Sequence, residues 1–206
     1  MIGILDLGVC NLKSIYNAVY ALGFDVEIID KKNFNRIDNK SHIVLPGVGS
    51  YSNLSKVFFE NDKLSNKIES HLKKGNFLLG ICLGMQFLST KGFENFESKG
   101  LNLIEGSVIK IKKKEASIKI PHIGWNEIEI VQNNKILKNL DDKSNFYFVH
   151  SYIFQLKDEK FIIANTNYGD NFPSIINKEN IFGFQFHPEK SSKKGLLLLD
   201  NFCRFN

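Results

Sequence analysis

Cysteine, proline, tryptophan and arginine are all scarce in this 206-residue chain. The three cysteines, Cys10, Cys82 and Cys203, are odd in number, far apart and without a C-x-x-C pair. Neither a disulfide framework nor a structural zinc site fits them, and a reducing compartment is favoured. Four prolines in a chain that is 43% hydrophobic exclude collagen-like and extended disordered structure. No apolar run approaches the ~20 residues of a membrane helix. The opening Met1-Ile2-Gly3-Ile4-Leu5-Asp6 lacks a basic leader and reads as a first strand, not a signal peptide. A cytoplasmic protein with no membrane partner is expected. Of 27 basic residues only Arg36 and Arg204 are arginines. A net charge of +5 made of dispersed lysine speaks to solubility and steering, so no nucleic-acid partner is expected. The densest cluster, Lys110, Lys112, Lys113, Lys114 and Lys119, surrounds alternating isoleucines and reads as the wet face of a β-hairpin. His42, His71, His122, His150 and His187 show no ligand spacing with cysteines or carboxylates, so no metal and no cofactor is expected.

What is present is a strand-helix alternation. Ile2–Asp6 reads as a strand; Asn11 caps a helix with Leu12, Ile15, Val19 and Leu22 at helical spacing, closed by Gly23. Phe24–Ile29 and Ile43–Leu45 read as strands, Leu64, Ile68 and Leu72 mark a helix ended by Gly75, and Phe77–Ile81 is a wholly apolar strand. That last run fits a parallel sheet covered on both faces. From Leu103 onward the texture changes to strands joined by polar turns: Ser107–Lys112, Ile118–Ile120, Glu127–Val131, Phe146–Tyr152, Phe161–Asn165 and Ile181–His187, before a closing helix Lys193–Phe205. The expected fold is α/β: a doubly wound, mostly parallel sheet flanked by helices, with an additional antiparallel strand layer. Without repeats or linkers, residues 1–206 read as a single domain.

Three strand ends carry candidate chemistry. Gly80-Ile81-Cys82-Leu83-Gly84 lies where an apolar strand gives way to a helical stretch. It is the cysteine form of the G-x-S-x-G elbow, in which glycines permit a strained turn that presents the nucleophile at a helix N-terminus. A buried cysteine packed in a strand-helix turn is the alternative, and the pentapeptide alone leaves both open. Gly183-Phe184-Gln185-Phe186-His187-Pro188-Glu189 supplies a histidine and a carboxylate at a second strand end. Cysteine needs a base and the base needs an orienting group, so Cys82, His187 and Glu189 make a complete triad. Pro46-Gly47-Val48-Gly49, at a third strand end, can turn backbone N–H groups toward a ligand and, with the N–H of Leu83, form an oxyanion hole.

Together these residues resemble the class I, triad-type glutamine amidotransferases. The match narrows to the glutaminase subunits of imidazole glycerol phosphate synthase, on the strength of Asn11-Leu12-Lys13-Ser14, Leu45-Pro46-Gly47-Val48-Gly49, Gly80–Gln86, Pro121-His122-Ile123-Gly124-Trp125-Asn126, Phe148-Val149-His150-Ser151-Tyr152 and Gln185–Ser191, which run in family order over essentially the whole chain. The resemblance implies that a Cys82 thiolate, activated by His187 with Glu189 behind it, attacks the side-chain amide of glutamine. Leu83, Gly47, Val48 and Gly49 would hold the oxyanion, and Gln86, Glu94, His150, Ser151 and Tyr152 the substrate. At Glu94 this sequence departs from the family: Gly92-Phe93-Glu94 stands where Ser-Glu-Glu is often found.

The resemblance further implies a (β/α)8-barrel cyclase partner that consumes the ammonia to make imidazole glycerol phosphate and AICAR in histidine biosynthesis, docked over Asn11, His122, Trp125, Asn126 and Lys190. It implies little glutaminase activity without that partner, with the Pro46–Gly49 loop as the switch. Leu7 and Cys10 stand where relatives commonly carry an aromatic residue and a glycine. A paralogue supplying ammonia for amidino groups on a bacterial surface sugar, a non-catalytic binding subunit and a cysteine-dependent esterase or peptidase are the competing readings.

Overall fold

The structure is a computed structural model that describes residues 1–8, 12–113 and 118–206, with Asp62 described by its backbone alone. The expectations placed on Cys10, Asn11 and Lys114 lie outside the described residues. The first half of the chain runs β1 (Ile2–Leu5), α1 (Leu12–Ala21), β2 (Val26–Ile29), β3 (His42–Gly47), α2 (Tyr51–Phe59), α3 (Asp62–Lys73), β4 (Phe77–Cys82) and α4 (Leu83–Phe87). Then come β5 (Lys91–Gly92), β6 (Ser98–Lys99), β7 (Gly106–Lys110), β8 (His122–Glu127), β9 (Glu129–Ile130), β10 (Asn145–His150), β11 (Tyr152–Leu156), β12 (Ile162–Asn167), β13 (Asn171–Lys178), β14 (Ile181–Phe184) and α5 (Ser192–Cys203).

Eight strands form the main sheet in the order β2-β1-β3-β4-β14-β13-β12-β9. Pairing is parallel from β2 to β14 and antiparallel beyond it. A four-stranded sheet, β11-β7-β5-β6, and a two-stranded ribbon, β10-β8, make the added layer. The expected fold class is therefore the observed one. Successive side chains of a strand point to opposite faces, and the central strands feed two cores accordingly. Val44 and Leu79 join Val19, Phe182, Leu198 and Phe202 on one face. Ile43, Leu45 and Leu78 join Leu54, Phe58, Ile68 and Phe87 on the other.

Several expected elements are redrawn. Helix α2 was not foreseen; Ser50 caps it by accepting the Asn53 N–H at 3.3 Å. Strand β3 extends through Pro46 and Gly47, which proline's missing N–H allows because the pairing with β1 has already ended at Val44. The lysine-rich hairpin is not formed by its expected strands: β7 pairs with β11, and residues 118–120 form no strand. Pro121 removes a ladder donor there, and the Lys119 carbonyl accepts the Tyr168 hydroxyl at 2.8 Å. The single strands expected over Glu127–Val131 and Phe146–Tyr152 each divide where the chain leaves one sheet for another. The second switch, at Ser151, leaves β10 beside the ends of β4 and β14, where the Val149 carbonyl lies 3.8 Å from Cys82 Sγ and the Tyr147 carbonyl accepts the His187 N–H.

Candidate active site

Cys82 ends β4 with φ 54° and ψ −111°, a backbone state that costs a side-chain-bearing residue about 1–3 kcal/mol unless its surroundings enforce it. Here they do. A Cβ on Gly80 would lie 2.6 Å from the Gly84 carbonyl oxygen, and one on Gly84 would overlap the Leu45 carbonyl oxygen. The turn from β4 into α4 is thus pressed backbone to backbone against β3, which only glycine at both positions permits.

His187 follows β14 and is tied from both sides: its N–H donates to the Tyr147 carbonyl at 2.9 Å, and its own carbonyl accepts the Ser191 hydroxyl at 2.6 Å. Its Nδ1 meets Glu189 Oε1 at 2.9 Å, with both side chains almost wholly buried. The remaining ring nitrogen, Nε2, has no hydrogen-bond partner among the described residues. Burial alone would push the His187 pKa down, but the ionised Cys82 sulfur and the Glu189 carboxylate outweigh it and raise the pKa to about 10. Whenever Cys82 is ionised, His187 therefore carries its second proton at neutral pH.

Cys82 and His187 face one cleft of about 290 Å³, lined also by Val48, Gly49, Leu83, Gln86, Glu94, His150, Ser151 and Tyr152. Of the expected site residues, two stand back from it. Glu189 lies behind His187, and Gly47 lies under the elbow, where a Cβ would come within 2.9 Å of the Gly84 nitrogen. Glu94 Oε2 accepts the Tyr51 N–H at 2.7 Å, so the start of α2 orients its carboxylate. Gln86 gives both amide protons to the protein, to the Tyr152 carbonyl at 2.7 Å and to Gln185 Oε1 at 3.0 Å; only its oxygen is left for a ligand. His150 donates from Nδ1 to the Tyr152 carbonyl at 2.9 Å and accepts at Nε2 from His122 Nδ1 at 3.0 Å. Burial lowers the pKa of His122 to about 4 and of His150 to about 3, so both are neutral. Gln185 and Val149, which sequence reasoning did not single out, also approach Cys82 Sγ, through the Gln185 side-chain nitrogen and the Val149 carbonyl, each at 3.8 Å. Gln185 sits in the same strand-end run as His187, and that adjacency is its only signal.

The expected docking residues separate by the pleat of the ribbon. Ile123 and Trp125 of β8 are 58% and 54% exposed and lie opposite Val149 and Tyr147 of β10. Lys190 is exposed, its ammonium 5.9 Å from the Tyr147 ring. His122 and Asn126 correct the expectation. A period of two turns them to the inner face, where His122 is buried with its ring 3.9 Å from that of Tyr168 and Asn126 donates to the Asn167 carbonyl at 2.9 Å.

No helix among the described residues is long and apolar enough to cross a membrane. The family of class I glutamine amidotransferases matches residues 3–204. The chain is 41% identical to the imidazole glycerol phosphate synthase subunit HisH of Aquifex aeolicus over 98% of its own length and 95% of the relative's. It is 42% identical to the subunit of the same name in Leptospira borgpetersenii, over 98% and 99%. Among solved structures, PurLQS of Thermotoga maritima superposes with a TM-score of 0.75 at 16% identity over 99% of this chain and 97% of that one. A crystal structure of a glutamine amidotransferase gives 0.72 at 18% over 97% and 98%. On sequence and fold alike, the chain belongs to the class I glutamine amidotransferases, enzymes that take ammonia from glutamine, and within them to the family of HisH subunits.

Proposed function

We propose that the chain acts as a single glutaminase domain with Cys82 as nucleophile, His187 as its acid and base, and Glu189 as the group that orients and supports the imidazolium. The observation that carries this reading is the strained Cys82 elbow opening into the same cleft as a His187 whose far side is held by Glu189 at 2.9 Å. The Cys82 thiolate attacks the side-chain carbonyl carbon of glutamine, forming a C–S bond and a tetrahedral oxyanion. Backbone N–H groups of Leu83, Val48 and Gly49 hold that oxygen. His187 delivers its proton to the nitrogen as the C–N bond breaks, releasing ammonia. It then takes a proton from water, which cleaves the thioester to glutamate and restores the thiolate. Gln86, Glu94 and the His150-Ser151-Tyr152 segment bind the substrate: the Glu94 carboxylate suits its ammonium group, and Gln86 can only accept a hydrogen bond from it.

Free ammonia in water is mostly lost as ammonium, so release is productive beside an acceptor. We infer that the acceptor is a (β/α)8-barrel cyclase docked on the Trp125 and Lys190 face, the pair forming a cytoplasmic heterodimer that makes imidazole glycerol phosphate and AICAR in histidine biosynthesis. Support comes from the HisH relatives, named as subunits of imidazole glycerol phosphate synthase, and from the apolar outer face of the ribbon. The test is reconstitution with the barrel cyclase of the same organism. Glutamine should drive product formation with the wild-type chain. With Cys82→Ala only ammonium salt should drive it. Failure of glutamine with the wild type, while ammonium succeeds, would remove the assignment.

A further inference from the structure

We propose that Gln185 is a positioning residue for the nucleophile: its side-chain amide donates to the Cys82 sulfur, aims it into the cleft and favours its ionised form. The inference rests on the reading of Cys82 as the nucleophile. Gln185 is fully buried, and its Nε2 lies 3.8 Å from Cys82 Sγ.

Which end of that amide faces the sulfur follows from hydrogen-bond accounting. Gln86 Nε2 has two protons and two acceptors, the Tyr152 carbonyl and Gln185 Oε1. A Gln185 oxygen turned toward Gln86 leaves the Gln185 nitrogen turned toward the sulfur. The flipped amide would set NH2 against NH2 on one side and oxygen lone pairs against a thiolate on the other. The backbone of Gln185 is also pinned, its N–H donating to the Ser174 carbonyl at 2.9 Å. The Val149 carbonyl also lies 3.8 Å from Sγ. That oxygen can accept from a thiol but repels a thiolate, so Gln185 supplies a protein donor that opposes it. A hydrogen bond to a charged acceptor is about twice as strong as a neutral one, so ionisation of Cys82 gains from this contact.

Alkylation of Cys82 by iodoacetamide, followed by mass spectrometry across pH, reads the thiolate directly. Gln185→Met keeps the volume and removes the donor. The alkylation profile should move to higher pH by about one unit, which is a tenfold loss of thiolate at pH values below its midpoint. Gln185→Glu, which sets a carboxylate beside the sulfur, should move it further. A merely structural glutamine would change melting temperature and leave the pH midpoint in place, and that result overturns the proposal. If both variants fail to fold, the wild-type protein decides by NMR. The Gln185 side-chain amide protons should shift with the same pH midpoint as Cys82 alkylation, and their indifference to it overturns the proposal. The two failures are distinguishable: full glutaminase activity in Cys82→Ser would refute the nucleophile itself, whereas an unmoved profile in Gln185→Met refutes only this role.

Discussion

Lowering the pH from 8 to 5 should cost the folded chain roughly 6 kcal/mol, with three buried histidines responsible. Burial holds His42 and His122 at about 4 and His150 at about 3, against about 6.5 in an unfolded chain. A depressed histidine is neutral when folded, so its stability is intact above 6.5. Below that value the unfolded state binds the extra proton, and stability falls toward the folded pKa. At pH 5 each of the three loses about 2 kcal/mol by this linkage. His187 stands outside this sum: burial lowers its pKa, the ionised Cys82 sulfur and the Glu189 carboxylate raise it to about 10, and the proton its imidazolium then holds is the one the thiolate has given up. The three losses add to about 6 kcal/mol, a large part of the 5–15 kcal/mol of an ordinary domain. His71, lowered chiefly by burial, adds in the same direction. Urea unfolding followed by circular dichroism at pH 8, 6.5 and 5 measures this. A midpoint that stays level or rises between 6.5 and 5 would refute the charge states assigned to the buried histidines.

Glu189→Gln keeps the 2.9 Å geometry but removes the charge that supports the imidazolium. Turnover in the assembled complex should fall on the order of 10²-fold or more, and the alkaline limb of the pH-rate profile should move to lower pH as the His187 pKa drops. Gly84→Ala puts a methyl group on the Leu45 carbonyl, a backbone atom that cannot rotate away. It should cost at least about 1–3 kcal/mol, as overpacking does, and should disturb Cys82 alkylation along with the melting temperature. Trp125→Ala should leave isolated stability within about 0.5 kcal/mol, as for most surface changes. It should weaken cyclase binding at least tenfold by calorimetry, the scale of an interface hot spot. Because Trp125 is the single tryptophan and is already half exposed, its emission should shift to the blue on docking and only slightly to the red on unfolding.

What could be read from the residues and what could not follows a physical division. The apolar run Phe77–Ile81 and the glycines around Cys82 announce a covered parallel strand and a tight elbow because burial on both faces and close backbone approach leave few residue choices. Strand β13 escaped because Pro173 sits inside it, which argues against a strand; in the structure the register with β12 shifts around Ala164–Asn165, beside that proline. Helix α2 escaped because Ser50-Tyr51-Ser52-Asn53 looks like a turn until Leu54 and Phe58 are seen to be buried. The switches at Ile128 and Ser151 escaped because one apolar run can serve two sheets in succession. The inward turn of His122 and Asn126 follows from the alternation with Ile123 and Trp125, once His122–Glu127 is known to be a strand.

Two histidines line the same cleft and hold opposite charge states, and the difference fixes what the cleft can accept. His187 has an anion on each side of its ring, so it is held as a cation when the sulfur is ionised; His150 has a carbonyl and a second neutral imidazole, so it stays neutral. Among the described residues that line the cleft, positive charge is therefore confined to His187, where the proposed reaction protonates the departing nitrogen. Gln86 offers only an oxygen, and Glu94 offers a carboxylate anchored on the Tyr51 N–H. A ligand with a neutral carboxamide at one end and an ammonium at the other meets each of these groups with the complementary one. A ligand whose far end is already a carboxylate, as the glutamate product is, brings a negative charge against the thiolate. The same arrangement that binds the amide thus favours release of the acid once the thioester has been cleaved.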